Sequence, residues 1–267
     1  MKRSFVFFAG MLLMGSVSGA DDMASAVLER QDGRGLQVFL KRLDATNITI
    51  RLDKATADTQ LKLEEVKFLN FNHTPYDQQS VEKRFNEADY RGVIDILEPV
   101  AAPYSGYASI RNNLEDPFCL LMNAYFENKN FAQSRRLATF LSANQNPEVK
   151  SKALVFQALS SLNEGSAAAV SNLLPQIINP SARLYVQACT EHAQKQPKAA
   201  IQTAIKLIAE YPNDKEWLPQ TELLCAQLYY EMNMTNAAAV TARQVQKFYA
   251  GTYVAKEAQI LRSKIEK

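Results

Sequence analysis

A unit that recurs along the chain restricts the fold more than any other feature. AYFENKNFAQSRRLATFL, residues 124–141, reads as the end of one helix, a polar break and a second helix. Before the break, Phe118, Leu120, Leu121 and Tyr125 form an apolar stripe. After it, Leu137, Phe140 and Leu141 resume helical spacing. The same design returns as NEADYRGVIDIL (86–97), LNEGSAAAVSNLL (162–174), AQKQPKAAIQTAIKLI (193–208) and EMNMTNAAAVTARQV (231–245). Aligning the copies three residues past each turn gives Val93, Ser134, Ala169, Ala200 and Ala238, with the third copy able to shift by one. The intervals, about 41, 35, 31 and 38 residues, fall in the band of helical solenoids, whose single helix pairs cannot bury their apolar faces alone. Mostly small residues stand at that position, as expected where the second helix crosses closely over the first. Pro103, Pro147, Pro180 and Pro212 follow, each placed to stop a second helix. The competing architecture is an all-α bundle without repeats.

Before residue 75 the period is different. Ala26–Arg30 leads into Gln31-Asp32-Gly33-Arg34-Gly35, whose Asp-Gly step is a hairpin signal. Leu36, Val38 and Leu40 then share one face, and Ile48, Ile50 and Leu52 alternate with polar residues. Leu61 and Leu63 alternate again, and KFLNF ends the region. Four or five strands in so short a stretch predict a small closed barrel, because closure removes exposed edges. Asn72–Asp77 is a polar joint containing Pro75, and beyond it good helix formers dominate. The expected fold class is therefore α+β, a small N-terminal β barrel followed by an all-α repeat array.

The first twenty residues belong to neither region. Lys2 and Arg3, the apolar run Phe5–Met14 and the small residues Ser18-Gly19-Ala20 have the order of a secretory signal peptide cleaved after Ala20. A retained anchor is the alternative, but the run is shorter than the ~20 residues a membrane span needs. The expected organisation is a leader over 1–20, a barrel over 21–75 and a helical repeat domain over 76–267. The predicted product is an exported, periplasmic protein with no span after leader removal, compatible with peripheral association with an outer membrane. Without Lys2 and Arg3 the 30 basic residues become 28 and equal the 28 acidic ones. A neutral exported chain has no electrostatic footprint for nucleic acid. Cys119, Cys189 and Cys225 are odd in number and widely spaced within apolar patterns, which fits buried thiols or a single pair rather than a disulfide framework.

Particular residues carry family resemblances. Asn123-Ala124-Tyr125-Phe126, Asn130-Phe131 and Ser134 resemble the tetratricopeptide pattern N-A-Y-Y, D-Y, Ala, with Phe118 and Leu121 where that family has Trp and Leu. Leu228-Tyr229-Tyr230 with Ala238 is similar, and Ala188, Ala200 and Pro212 fall in register. Met122 and Lys129 depart from the pattern, Lys129 standing at the turn glycine. The closing segment, with Tyr211-Pro212, Phe248–Thr252, Ala255 and Ala258, is similar to bacterial envelope proteins of this family, among them outer-membrane assembly factors and Tol–Pal coordinators. Residues 24–72, with the Asp32-Gly33-Arg34 turn, the Ile48-Thr49-Ile50 strand and the closing segment Gln60–Leu69, resemble the SH3-like or Sm-like small barrels, a likeness that implies a short turn at Glu64-Glu65-Val66 before the last strand. Some of those bind RNA, which export and zero net charge disfavour here, leaving a docking or packing module. The first resemblance implies a groove lined by the first helices, with Asn123, Phe126, Gln227 and Tyr230 on its inner face. For Phe126 and Tyr230 the alternative is packing against the next repeat.

The search for chemistry returns little. Cys189 and His192 share a helix face, but two unlike ligands without further donors are a weak metal signal, and a surface histidine beside a buried thiol explains them. Glu64-Glu65 and Asp21-Asp22 are neighbours whose side chains diverge, unsuited to paired acid–base work. Ser134 and Ser166 fall in helix turns, and the DGRG glycines lack the strand-to-helix context of a phosphate loop. No catalytic residue, metal ligand or cofactor site is assigned. The expected function is a non-enzymatic adaptor or scaffold that binds a protein or peptide partner in the cell envelope. The alternative is an envelope hydrolase or cell-wall enzyme with an unrecognised site.

Overall fold

The computed structural model describes residues 24–52 and 55–266, so the leader expected over residues 1–20 lies outside the described residues. Five strands come first: β1 (Ser25–Arg30), β2 (Gly35–Leu43), β3 (Asn47–Leu52), β4 (Asp58–Lys62) and β5 (Val66–Phe71). A 3-10 turn, Leu63–Glu65, separates the last two, one residue earlier than the turn the barrel resemblance implies, and Val66 already belongs to β5. All pairings are antiparallel and the sheet order is β4-β3-β2-β1-β5. The β1–β2 hairpin turns at Gly33, whose φ of 83° is the left-handed conformation that glycine adopts without steric cost. Alternation works as the period-two pattern requires. Ala26, Leu28, Val38, Leu40, Ile48 and Ile50 are buried on one face and join the core of the helical part.

The outer edge of β5 is covered by the chain itself. Leu69 N–H donates to the Arg111 carbonyl at 2.8 Å, and Asn113 N–H donates to the Leu69 carbonyl at 3.2 Å. The Asn113 side chain continues the ladder, accepting from Phe71 N–H at 2.8 Å and donating to the Phe71 carbonyl at 3.2 Å. The Tyr104 ring stacks on Phe71 at 4.5 Å and its hydroxyl donates to the Asn72 carbonyl. These contacts satisfy an edge that would otherwise face water or another chain, and they fasten the sheet to the helices. Among the described residues β4 has β3 as its only strand partner, and its residues are mostly exposed.

Eleven α-helices follow among the described residues: α1 (Gln78–Asn86), α2 (Tyr90–Ala101), α3 (Glu115–Glu127), α4 (Phe131–Leu141), α5 (Pro147–Asn163), α6 (Ala167–Leu173), α7 (Pro180–Ala193), α8 (Pro197–Glu210), α9 (Trp217–Glu231), α10 (Thr235–Phe248) and α11 (Tyr253–Ile265). The first ten form five hairpins built on one turn. In each, a residue with positive φ stands two positions before the second helix: Ala88, Lys129, Gly165, Lys195 and Asn233. The following N–H reaches back to a carbonyl five residues earlier, from Asp89 to Arg84, Asn130 to Tyr125, Ser166 to Ser161, Gln196 to Glu191 and Met234 to Tyr229. This Schellman pairing satisfies carbonyls that a helix end leaves open.

The turns fix the repeat register. Five residues past the positive-φ residue lie Val93, Ser134, Val170, Ala200 and Ala238, each with no exposed surface. The third copy is thus one residue later than Ala169, which is exposed, because Gly165 sets the turn. The position works as expected at Ser134, whose hydroxyl donates to the Met122 carbonyl of the preceding helix at 3.0 Å. The prolines act differently from expectation at two of four sites. Pro147 and Pro180 open α5 and α7 rather than only closing what precedes them, at a first-turn position where no N–H is needed.

Each second helix packs on the first helix of the next hairpin, and α3, α5, α7, α9 and α11 touch in succession as an inner row. Phe118 and Trp217, both essentially fully buried, anchor that row, each contributing about 2–3 kcal/mol by burial. The last helix also reaches the first. Phe85 of α1 lies edge-on to Tyr253 of α11 at 4.9 Å, and the Tyr90 hydroxyl donates to Glu257 Oε1 at 3.3 Å.

Candidate binding cleft

The starts of four helices converge on one concavity. Asn146 caps α5, its side chain accepting from Glu148 N–H at 3.1 Å, and Asn179 caps α7, accepting from Ala182 N–H at 3.1 Å. Before α9, Asp214 Oδ1 accepts from Glu216 N–H at 2.9 Å and Trp217 N–H at 2.7 Å, while its other oxygen takes the Ser181 hydroxyl. Asp116, in the first turn of α3, completes the rim. Between them lies a cleft of about 570 Å³, walled by Val149, Ser151, Lys152, Ile178 and Trp217. A smaller hollow of about 240 Å³ shares Asp116, Cys119 and Lys152 with it and continues toward Tyr76 and Asn123. The two make one trough along the inner row.

Charge in the trough is unbalanced. Asp116, Glu148, Asp214 and Glu216 border the cleft and Glu82 the smaller hollow, against one cation among the described residues, Lys152. Lys152 pairs with Glu216 at 2.7 Å. Burial works against the lysine's charge, but Glu216 and other nearby negative groups outweigh it and raise the pKa. Cys119, at the floor, is a free thiol pushed up to about 12 by burial, so it is protonated at neutral pH.

Asn123 lines the smaller hollow, with its amide oxygen buried and unpartnered and its side chain within reach of the Tyr253 hydroxyl. Phe126, on the same helix, is held edge-on between Phe131 at 5.3 Å and Phe156 at 5.5 Å. It packs α3 against α5. Gln227 and Tyr230 are exposed near the C-terminal end of α9 and do not border the trough. The four residues therefore fall in two places. The repeat register selects positions near the C-terminal ends of the first helices, whereas the concavity opens at their N-terminal ends. Its residues could have been sought from the paired signals Asn146-Pro147 and Asn179-Pro180, which mark helix starts, and from Trp217, the single tryptophan.

The two histidines lie elsewhere. His192 Nε2 is 2.7 Å from Glu231 Oε2, and His73 Nδ1 is 2.9 Å from the Thr74 carbonyl. Among the described residues no group of three or more His, Cys, Asp or Glu side chains is placed to hold a metal ion. All three cysteines are free thiols. Two carboxylates are displaced upward, Glu127 to about 7 chiefly by burial and Glu222 by burial, and neither borders the trough. Among the described residues no helix is long and apolar enough to cross a membrane. Comparison with protein-family models, curated proteins and solved structures finds no match.

Proposed function

We propose that this chain is an exported, non-enzymatic adaptor that holds a segment of another cell-envelope protein in the trough across its inner helices. The carrying observation is the trough itself. It is open to solvent, formed from four separate hairpins, and edged by acidic side chains. A stacked helical array builds extended concave surfaces of this kind. Five hairpins with one turn geometry support a tetratricopeptide-like array, and the strand order with a 3-10 turn before β5 supports an SH3-like barrel in front of it. In that arrangement the sheet is a packing module, since the edge of β5 is already taken by residues 111–113.

Site-specific photo-cross-linking in native envelopes tests the proposal. A photoreactive residue at Ile178, 63% exposed on the trough wall, is expected to trap a discrete partner identifiable by mass spectrometry. The same group at Tyr230, outside the trough, is expected not to trap it. Equal trapping from both positions, or none from Ile178, would overturn the adaptor assignment.

A further inference from the structure

The trough has a chemical preference. Helix N-termini ordinarily attract anions, and four of them meet here. Three are already answered by side chains, since Asn146, Asn179 and Asp214 accept their leading N–H groups. What stays uncompensated is negative. Lys152 is committed to Glu216, while among the described residues neither Asp116 nor Glu148 forms an ion pair, and both are exposed. A second, independent observation lies at the base of the cleft. Ser151 is only 5% exposed, borders the cleft, and its hydroxyl has no hydrogen-bond partner. A buried hydroxyl without a partner is unfavourable unless something arrives to meet it. Beside it Ile178 presents a large apolar side chain to solvent and Trp217 forms part of the wall.

From this juxtaposition we infer that the trough is a site for a polypeptide segment carrying a basic side chain next to an apolar one. The ammonium or guanidinium group lies between Asp116 and Glu148 and donates to Ser151 Oγ, and the apolar neighbour covers Ile178. Charge complementarity selects this occupant over an acidic segment, which would face the unpaired carboxylates Asp116 and Glu148. The inference rests on the adaptor proposal and adds to it the class of segment recognised.

The single tryptophan supplies a direct readout, because it lies in the cleft wall. Two N-acetylated, C-amidated hexapeptides are titrated into the full chain, one alternating leucine with lysine and the other leucine with glutamate. Trp217 emission and calorimetric heat are followed together. The lysine peptide is expected to bind saturably, at least about tenfold tighter than the glutamate peptide, and to weaken as salt is raised. Asp116→Asn with Glu148→Gln is expected to cut its affinity about tenfold, and Ser151→Ala severalfold. Asp95→Asn, at an exposed position on α2, is expected to leave it unchanged. Equal binding of the two peptides, no saturable binding of either, or an unaltered affinity in the double variant would each overturn the inference. The adaptor proposal fails separately, when Ile178 traps nothing; a trapped segment without basic residues would sink only the charge preference.

Discussion

Glu127 shows how a single side chain comes to depend on the whole inner row. It is half-buried at the end of α3, and its carboxyl is pushed up to about 7, mainly by burial, with Glu257 of α11 adding repulsion and Lys129 opposing. A carboxyl whose folded pKa lies above its usual value of about 4.5 favours the folded state most when protonated. Its contribution is therefore fully present below pH 4.5 and lost as pH rises through 7. Glu127→Gln keeps the shape and removes the charge. The variant is expected to exceed the parent only slightly at pH 5 and by about 1–3 kcal/mol at pH 8.5, measured by urea unfolding at both values. An advantage of the same size at pH 5 would mean that charge is not the cause. None of this was legible in the sequence, because Glu257 stands on α11, which follows Glu127 only after three further hairpins.

At the scale of the element, the hairpin turn is the unit that repeats. Four of its five positive-φ positions hold Ala88, Lys129, Lys195 and Asn233 rather than glycine. Side chains other than asparagine are strained in that conformation by about 1–2 kcal/mol. Lys129→Gly and Lys195→Gly are each expected to raise stability by about 0.5–1 kcal/mol, the relief of strain being partly offset by glycine's freedom in the unfolded chain. Thermal unfolding of the single and double variants checks this, and a lower Tm in either would show that the turns carry no strain. The helix pairs themselves could be read from apolar spacing, and the strands from alternation at Ile48, Ile50 and Leu52. The third copy could not be placed to the residue, because Ala167, Ala168 and Ala169 offer equivalent small side chains and only the φ of Gly165 separates them. The trough was harder still. Its members Asp116, Ser151, Ser181 and Trp217 come from four helix starts, and periodicity within any one helix says nothing about where those starts meet. The segment 111–113 that completes the β5 edge gave no strand signal of its own, since its pairing is a short bridge made partly by an asparagine side chain.

At the scale of the molecule, the decisive contact joins the first hairpin, α1 with α2, to α11. Tyr90 and Glu257, 167 positions apart, share a hydrogen bond, and Phe85 lies between the rings of Tyr90 at 5.5 Å and Tyr253 at 4.9 Å. Helical arrays with free ends unfold by losing their terminal units first, because each unit touches only its neighbours. Here both ends have a second neighbour. Phe85→Ala is expected to cost about 3–5 kcal/mol and to split one unfolding transition into two. Trp217 fluorescence and far-ultraviolet circular dichroism should coincide in the parent and separate in the variant; coincident curves in the variant would remove the role assigned to the contact. The same meeting of ends has a mechanical meaning. An open stack of helices stretches like a spring when its two ends are pulled apart. With Phe85 packed on Tyr253, pulling this helical region apart from its two ends is expected to meet resistance until those rings separate and little afterwards.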